Sequence, residues 1–273
     1  MAVPRDVRAT LRGLRFHWLD WGTAGHPPML LLHGGAQTAH SWDEVAPALA
    51  RRRHVVALDQ RGHGKTDWAP RYRRADFVDD VAALLDHLGQ ECVTLVGLSL
   101  GGLNAIAFAA AHPGRVRGLI VVDVVPTVVR SGTDAIRSQL AQREFDAFED
   151  AVALAHRFNP RRTLDNIRER LHHGMRELPD GRWTYRFDPG IGADAEPDAL
   201  ERLWADVRRL RCPTLLVRGA ESPVLDDHGV ERFRRECARA AVAEVPGAGH
   251  SVMGDNPAGF VAAVTPFLRR HGL

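Results

Sequence analysis

Ser99 is the residue whose type and setting most clearly indicate covalent chemistry. With Gly97 and Gly101 it forms the pattern G-x-S-x-G, which follows an apolar run at 92–98 and precedes a helical pattern at 100–114. A nucleophile elbow requires this context of strand, sharp turn and helix. The glycines leave room for backbone that a Cβ would meet, and the helix start offers free N–H groups beside the hydroxyl. The pattern therefore predicts that Ser99 is a nucleophile and not an incidental serine in a turn.

A serine hydroxyl needs a base to take its proton, and His250 is the predicted base. It lies in the small-residue segment PGAGHSV, directly after a strand-like run at 241–245. Because it follows a strand, it is expected at the same edge of the sheet as Ser99. This position distinguishes it from the other histidines of a chain that contains 14.

Two backbone N–H groups are predicted to stabilise an oxyanion near Ser99. One belongs to Leu100, at the start of the helix. The other comes from the segment LLLHGGAQ at 30–37, where Gly35 is favoured over Ala36. We interpret His33 in this segment as a brace for the loop and not as a base.

Short apolar runs alternate with helical patterns through most of the chain and would position these residues. Continuous apolar runs such as PMLLLHGG at 28–35 are typical of strands buried on both faces of a parallel sheet. The alternation favours an α/β fold with helices on both faces. From 127 to 210 it stops, and apolar residues recur at helical spacing instead. We predict a core formed by 1–126 and 211–273 and an inserted helical cap at 127–210.

Four segments occur in order along the chain: LLLHGG, ALDQRGHGKT, LVGLSLGG and PGAGHSV. Together they resemble the α/β-hydrolase superfamily, in its serine-nucleophile, capped branch. The resemblance covers essentially the whole chain. It implies a mostly parallel eight-stranded sheet, a cap inserted after the sixth strand, and hydrolysis without a cofactor or metal. The stretch GHGKT is then a structural turn, because Asp59 stands where a phosphate loop needs glycine.

The sequence leaves open which acid orients the histidine, because two strand ends each offer a candidate. The resemblance places it commonly just after the strand at 214–219, where this chain has Glu221 followed by Ser222. Asp123 ends the apolar run GLIVVD and is expected at the same edge of the sheet. We favour Asp123 over Glu221, because a short carboxylate fixed at a strand end is better preorganised. The further candidates are Asp226 and Asp227.

These residues predict acyl transfer to water through an acyl-enzyme, with small to medium apolar carboxylic esters as the broadest substrate class. Apolar residues near the site and in the cap favour an apolar pocket. The predicted pocket residues are Trp42, Leu98, Phe145 and Phe148, with Trp183 and Phe187 as further cap aromatics. The alternatives are a carbon–carbon bond hydrolase, a lactonase or a cofactor-free perhydrolase on the same triad, and a ligand-binding protein without turnover.

Composition and charge limit the kinds of partner, metal site and cellular location that we expect. The 36 basic and 34 acidic residues nearly cancel, which argues against a nucleic-acid partner. The three cysteines match no zinc spacing and favour a reducing compartment. The first residues lack an apolar leader, and no apolar run reaches the roughly 18 residues that span a membrane. We expect a cytoplasmic monomer or homodimer that acts on a small-molecule ester.

Overall fold

The structure, a computed structural model, describes residues 3–23, 25–193 and 199–273. Its strands are β1 (Arg5–Leu11), β2 (Leu14–Trp21), β3 (Pro28–Leu32), β4 (His54–Asp59), β5 (Val93–Leu98), β6 (Val116–Val122), β7 (Glu144–Phe145), β8 (Met175–Glu177), β9 (Trp183–Tyr185), β10 (Thr214–Gly219) and β11 (Ala240–Val245). Its α-helices are α1 (Ala46–Leu49), α2 (Arg74–His87), α3 (Leu100–Ala111), α4 (Arg130–Ala141), α5 (Phe148–Phe158), α6 (Leu164–Gly174), α7 (Ala199–Arg209), α8 (Asp227–Glu236), α9 (Val252–Asp255) and α10 (Pro257–Arg270). Short 3-10 helices cover Ala39–Trp42 and Pro113–Arg115. None of these described helices combines the length and the apolar character needed to cross a membrane.

Eight strands form one sheet in the order β1-β2-β4-β3-β5-β6-β10-β11. β2 pairs antiparallel with β1 and β4, and the strands from β4 to β11 pair in parallel. The predicted fold class is therefore confirmed. Because the strands are parallel, the carboxyl ends of β3, β5, β6, β10 and β11 meet at one edge of the sheet, where ligands of open α/β sheets bind.

The sheet is covered on both faces, which explains why its central strands read as continuous apolar runs. In β3, Leu30 and Leu32 belong to the core on one face, whereas Met29 and Leu31 belong to the core on the other. The first core is closed by α2, α3, α7 and α8, and the second by α1, α9 and α10.

The chain between β6 and α7 forms a separate layer with its own small core. It contains α4, α5 and α6 and an antiparallel sheet in the order β7-β9-β8. Its buried residues include Phe145, Met175 and Tyr185. The sequence patterns give only a loop or short hairpin at 180–190, so they predict the helices of this layer but not its sheet.

Helix α7 lies within the range that the sequence assigns to the cap, but it packs with the main core. Leu203, Trp204 and Val207 are buried there with residues of α3. The packing therefore assigns α7 to the main core, whereas the predicted cap extends to residue 210. An amphipathic pattern shows that a helix has a buried face but not which of two cores receives it.

Candidate active site

Ser99 lies on the turn between β5 and α3, in a backbone conformation that is rare for residues with a side chain. Its φ is 50° and its ψ is −117°. A Cβ at Gly97 would lie 2.3 Å from the carbonyl oxygen of Gly101, and one at Gly101 would lie 2.4 Å from that of Leu32. Only glycine fits at either position. The Ser99 N–H donates to Val122 O at 3.1 Å, which fixes the turn against β6.

Asp123 follows the last residue of β6 and is completely buried. Its φ is 52°, and its backbone N–H donates to Val217 O at 2.7 Å. The side chain accepts three hydrogen bonds. One oxygen accepts from the Gly219 N–H at 2.9 Å, and the other accepts from Ser222 Oγ and from His250 Nδ1, the latter at 2.8 Å. These donors satisfy a buried carboxylate that would otherwise be costly.

His250 lies in the loop after β11, with 17% of its side chain exposed. Because Nδ1 donates to a carboxylate, Nε2 of the neutral ring is free to accept a proton. The loop is anchored by Asp255, whose Oδ2 accepts from the Gly249 N–H at 3.0 Å. Asp255 also forms a buried ion pair with Arg162 at 2.8 Å, which ties this loop to the segment between α5 and α6.

The other acids proposed from the sequence have different partners. Glu221 is about half exposed and bonds to Arg161. Asp226 caps α8 by accepting from the Gly229 N–H at 2.8 Å, and Asp227 pairs with Arg218. In the described residues, His250 Nδ1 donates its hydrogen bond to Asp123 and to none of these three.

The loop after β3 is held against Ser99 by a buried histidine. His33 Nδ1 donates to Gly34 O at 2.7 Å, and its Nε2 accepts from the Gln60 N–H at 3.0 Å. Burial lowers the pKa of His33 despite the nearby carboxylate of Asp59. The ring is neutral and fully bonded, which agrees with a bracing role. A Cβ at Gly34 would lie 3.4 Å from Ser99 Cβ, so this loop and the elbow are in contact.

One cavity of about 480 Å³ connects Ser99, His250 and Gly35. Its roof is formed by the layer between β6 and α7. The apolar residues of that roof are Ala135, Ile136, Leu140, Ala155, Phe158, Ile167, Leu171, Tyr185, Phe187 and Ile191. A space of this size, enclosed largely by apolar side chains, fits a small to medium ligand. Three arginines also reach its wall: Arg161, Arg162 and Arg170.

None of the four predicted pocket residues is among the described residues that line this cavity. Trp42 and Leu98 are completely buried in the main core. Phe145 lies in the core of the layer between β6 and α7, and Phe148 packs against that core. Of the two further aromatics, Phe187 lines the cavity and Trp183 does not. The correction has a physical reason: apolar side chains identify buried faces, but a pocket wall and a core need the same residue types.

The chain is similar to known proteins in both sequence and structure. A family model described as the alpha/beta hydrolase fold matches residues 27–257. The esterase Rv0045c of Mycobacterium tuberculosis is 33% identical over 92% of this chain and 85% of its own. The 2-(acetamidomethylene)succinate hydrolase of Mesorhizobium japonicum is 30% identical over 89% of this chain and 88% of its own. The crystal structure of E-2-(acetamidomethylene)succinate hydrolase superposes with a TM-score of 0.89 and 27% identity, covering 97% of this chain and 99% of that one.

Proposed function

Since the chain belongs to the alpha/beta hydrolase family and is a hydrolase, we propose that it cleaves carboxylic esters of small to medium apolar substrates with Ser99 as the nucleophile. The observation that carries the proposal is the bond from His250 Nδ1 to the fully buried Asp123, beside a cavity that also contains Ser99. A curated relative with 33% identity is named as an esterase, which supports the same chemistry.

In the proposed mechanism, Asp123 holds the His250 ring so that Nε2 faces the serine and accepts its proton. Ser99 Oγ then attacks the ester carbonyl, and the backbone N–H groups of Leu100 and Gly35 stabilise the oxyanion. His250 returns the proton to the leaving alcohol, which leaves an acyl-enzyme. Water repeats the sequence and releases the acid. An oxyanion donor in such a site lowers the activation barrier by about 3 kcal/mol.

The layer between β6 and α7 is proposed to act as the cap. Its contribution to the roof comes chiefly from α4, α5 and α6, and α7 is assigned to the main domain because of its packing. An apolar roof excludes water from the reacting carbonyl and favours an apolar acyl group.

The decisive experiment measures hydrolysis of p-nitrophenyl acetate, butyrate and octanoate by the wild type and Ser99→Ala. We expect kcat of Ser99→Ala to fall by at least about 10³-fold. Ser41→Ala is the matched control, because Ser41 also lines the cavity but has no role in the mechanism. Labelling with a fluorophosphonate and peptide mapping should place the adduct on Ser99. An adduct on another residue, or equal loss in both variants, would contradict the proposal.

A second candidate is an ester or amide substrate that carries a carboxylate. It is favoured by Arg170, which lines the cavity and which, within the described part of the chain, donates one long side-chain hydrogen bond, 3.5 Å to Ser41 Oγ. A relative 30% identical to this chain is named for hydrolysing 2-(acetamidomethylene)succinate. Comparing a neutral diester with its hemiester in the wild type and Arg170→Gln separates the two. Only a carboxylate-specific enzyme would prefer the hemiester and lose that preference in the variant.

A cytoplasmic location and a monomeric or homodimeric state stay predictions. Cell fractionation and light scattering of the purified chain would test them.

A further inference from the structure

Two histidines and an aspartate lie together where the main domain meets the cap layer. His40 belongs to the 3-10 helix that follows the loop after β3, and His173 lies near the end of α6. Their rings are stacked, with centroids 3.4 Å apart and an interplanar angle of 10°. Asp43 accepts a hydrogen bond from His40 Nδ1 at 2.8 Å. One potential ligand atom from each of the three lies within 4.8 Å of the others.

Two polar atoms of this cluster are buried and have no hydrogen-bond partner among the described residues. They are Nε2 of His40 and Oδ1 of Asp43. Buried polar atoms are nearly always paired, so two orphans in one cluster point to an absent ligand. Because His40 Nδ1 donates its hydrogen to the carboxylate, Nε2 carries a lone pair. A carboxylate behind an imidazole in this way is the usual support of a metal-binding histidine.

His173 is also suited to bind a cation. One ring nitrogen of His173 lies within 4.8 Å of a potential ligand atom of His40 and of one of Asp43. A shared ion requires the ring to turn out of the stack. This rotation is about χ2, which is broad for histidine.

We propose that His40, Asp43 and His173 form a binding site for a transition-metal ion of the Zn²⁺ class. The two imidazoles are ligands, and Asp43 orients His40 and supplies negative charge. An imidazole-rich donor set suits Zn²⁺, Cu²⁺ and Ni²⁺ better than Mg²⁺ or Ca²⁺. The site departs from the sequence-based expectation of no metal. The proposed mechanism of ester hydrolysis does not use it, although His40 also lines the cavity that contains Ser99. Its consequence is structural, because an ion held by both histidines would join α6 to the main domain.

The first test is calorimetric titration of Zn²⁺ into the full chain after removal of metals with EDTA. The variant is His173→Gln, and the matched control is His172→Gln, because His172 is exposed on the same helix and stacks on Phe148 instead. We expect one ion to bind the wild type and the control, and binding to His173→Gln to be at least about tenfold weaker. Equal affinities in all three proteins, or no binding, would overturn the proposal.

The second test measures whether the ion joins the two layers. Amide hydrogen exchange of α6 should slow when Zn²⁺ is added to the wild type and should be unchanged in His173→Gln. If circular dichroism shows that His173→Gln is misfolded, His40→Gln takes its place in both tests. Unchanged exchange in the wild type at saturating Zn²⁺ would refute a bridge between the cap layer and the main domain.

Discussion

Replacing Asp123 by Asn tests the proposed triad with the smallest possible change in shape. Asp123 has a φ of 52°, and asparagine adopts this left-handed region as readily as aspartate does. The amide oxygen can still accept from the Gly219 N–H, as Oδ1 does now at 2.9 Å. The amide nitrogen then faces His250 Nδ1, which currently donates to Asp123 Oδ2 at 2.8 Å.

Two donors cannot share a hydrogen bond, so the ring of His250 is forced to place its proton on Nε2. In that tautomer it accepts from the amide through Nδ1 and cannot take the proton of Ser99. Loss of the correct tautomer lowers kcat by about 10⁴-fold in a comparable triad. At about 1.4 kcal/mol per tenfold change, the barrier rises by about 5 kcal/mol.

The assay is p-nitrophenyl butyrate hydrolysis, with kcat and KM measured separately and folding checked by thermal unfolding. Glu221→Gln is the matched control, because it makes the same chemical change at the alternative acid. Glu221 is about half exposed and bonds to Arg161, and exposed pairs contribute about 0–1 kcal/mol. Its kcat should stay within about twofold of the wild type. A large loss in Glu221→Gln with activity retained in Asp123→Asn would refute the reasoning.

Three further predictions concern residues around the site. Ser222→Ala removes a hydrogen bond to the buried carboxylate and should lower kcat about tenfold with KM unchanged, since charge-assisted bonds contribute about 1.5–3 kcal/mol; an unaltered kcat would contradict this. Arg162→Met leaves buried Asp255 unpaired and should lower the free energy of unfolding in urea by about 3–5 kcal/mol, whereas Arg161→Met, at an exposed pair, should cost under about 1 kcal/mol. Burial lowers the pKa of His63 to about 3, so below pH 6.5 the unfolded chain binds a proton that the folded chain excludes. This residue should therefore lower the free energy of unfolding by about 1.4 kcal/mol for each unit that the pH falls between about pH 6 and 4. Urea denaturation at several pH values should show that the free energy of unfolding of His63→Gln depends less steeply on pH.

The sequence predicts the parallel sheet and the elbow because both depend on local patterns. Glycines at positions 97 and 101 are required by backbone contacts that any such turn makes. The proposed acid is harder to predict, because Asp123 and Glu221 follow neighbouring strands, β6 and β10, and either end can reach the same loop. The structure distinguishes them through burial and through the bond to His250, which depend on tertiary contacts.

The pocket could not be predicted from residue types alone. In α4, Gly132, Ala135, Ile136, Gln139 and Leu140 line the cavity at helical spacing. This periodicity is present in the sequence, but it shows a buried face without showing what covers it. The pairing of Arg162 with Asp255 joins residues 93 positions apart and leaves no local signal.

Backbone strain links the fold to the proposed chemistry. Among the described residues, four that are not glycine have positive φ, and three of them lie at the site: Ala36, Ser99 and Asp123. Each such conformation costs on the order of 1–2 kcal/mol. The Ser99 N–H is held by β6 through Val122 O, and the Asp123 N–H is held by β10 through Val217 O. Ser99 and Asp123 are therefore each fixed by the next strand of the sheet, so the strand order itself brings the proposed nucleophile, acid and base to one edge. The same arrangement explains how the proposed acid can follow β6 while a serine follows β10, because Asp123 accepts both from His250 Nδ1 and from the hydroxyl of Ser222.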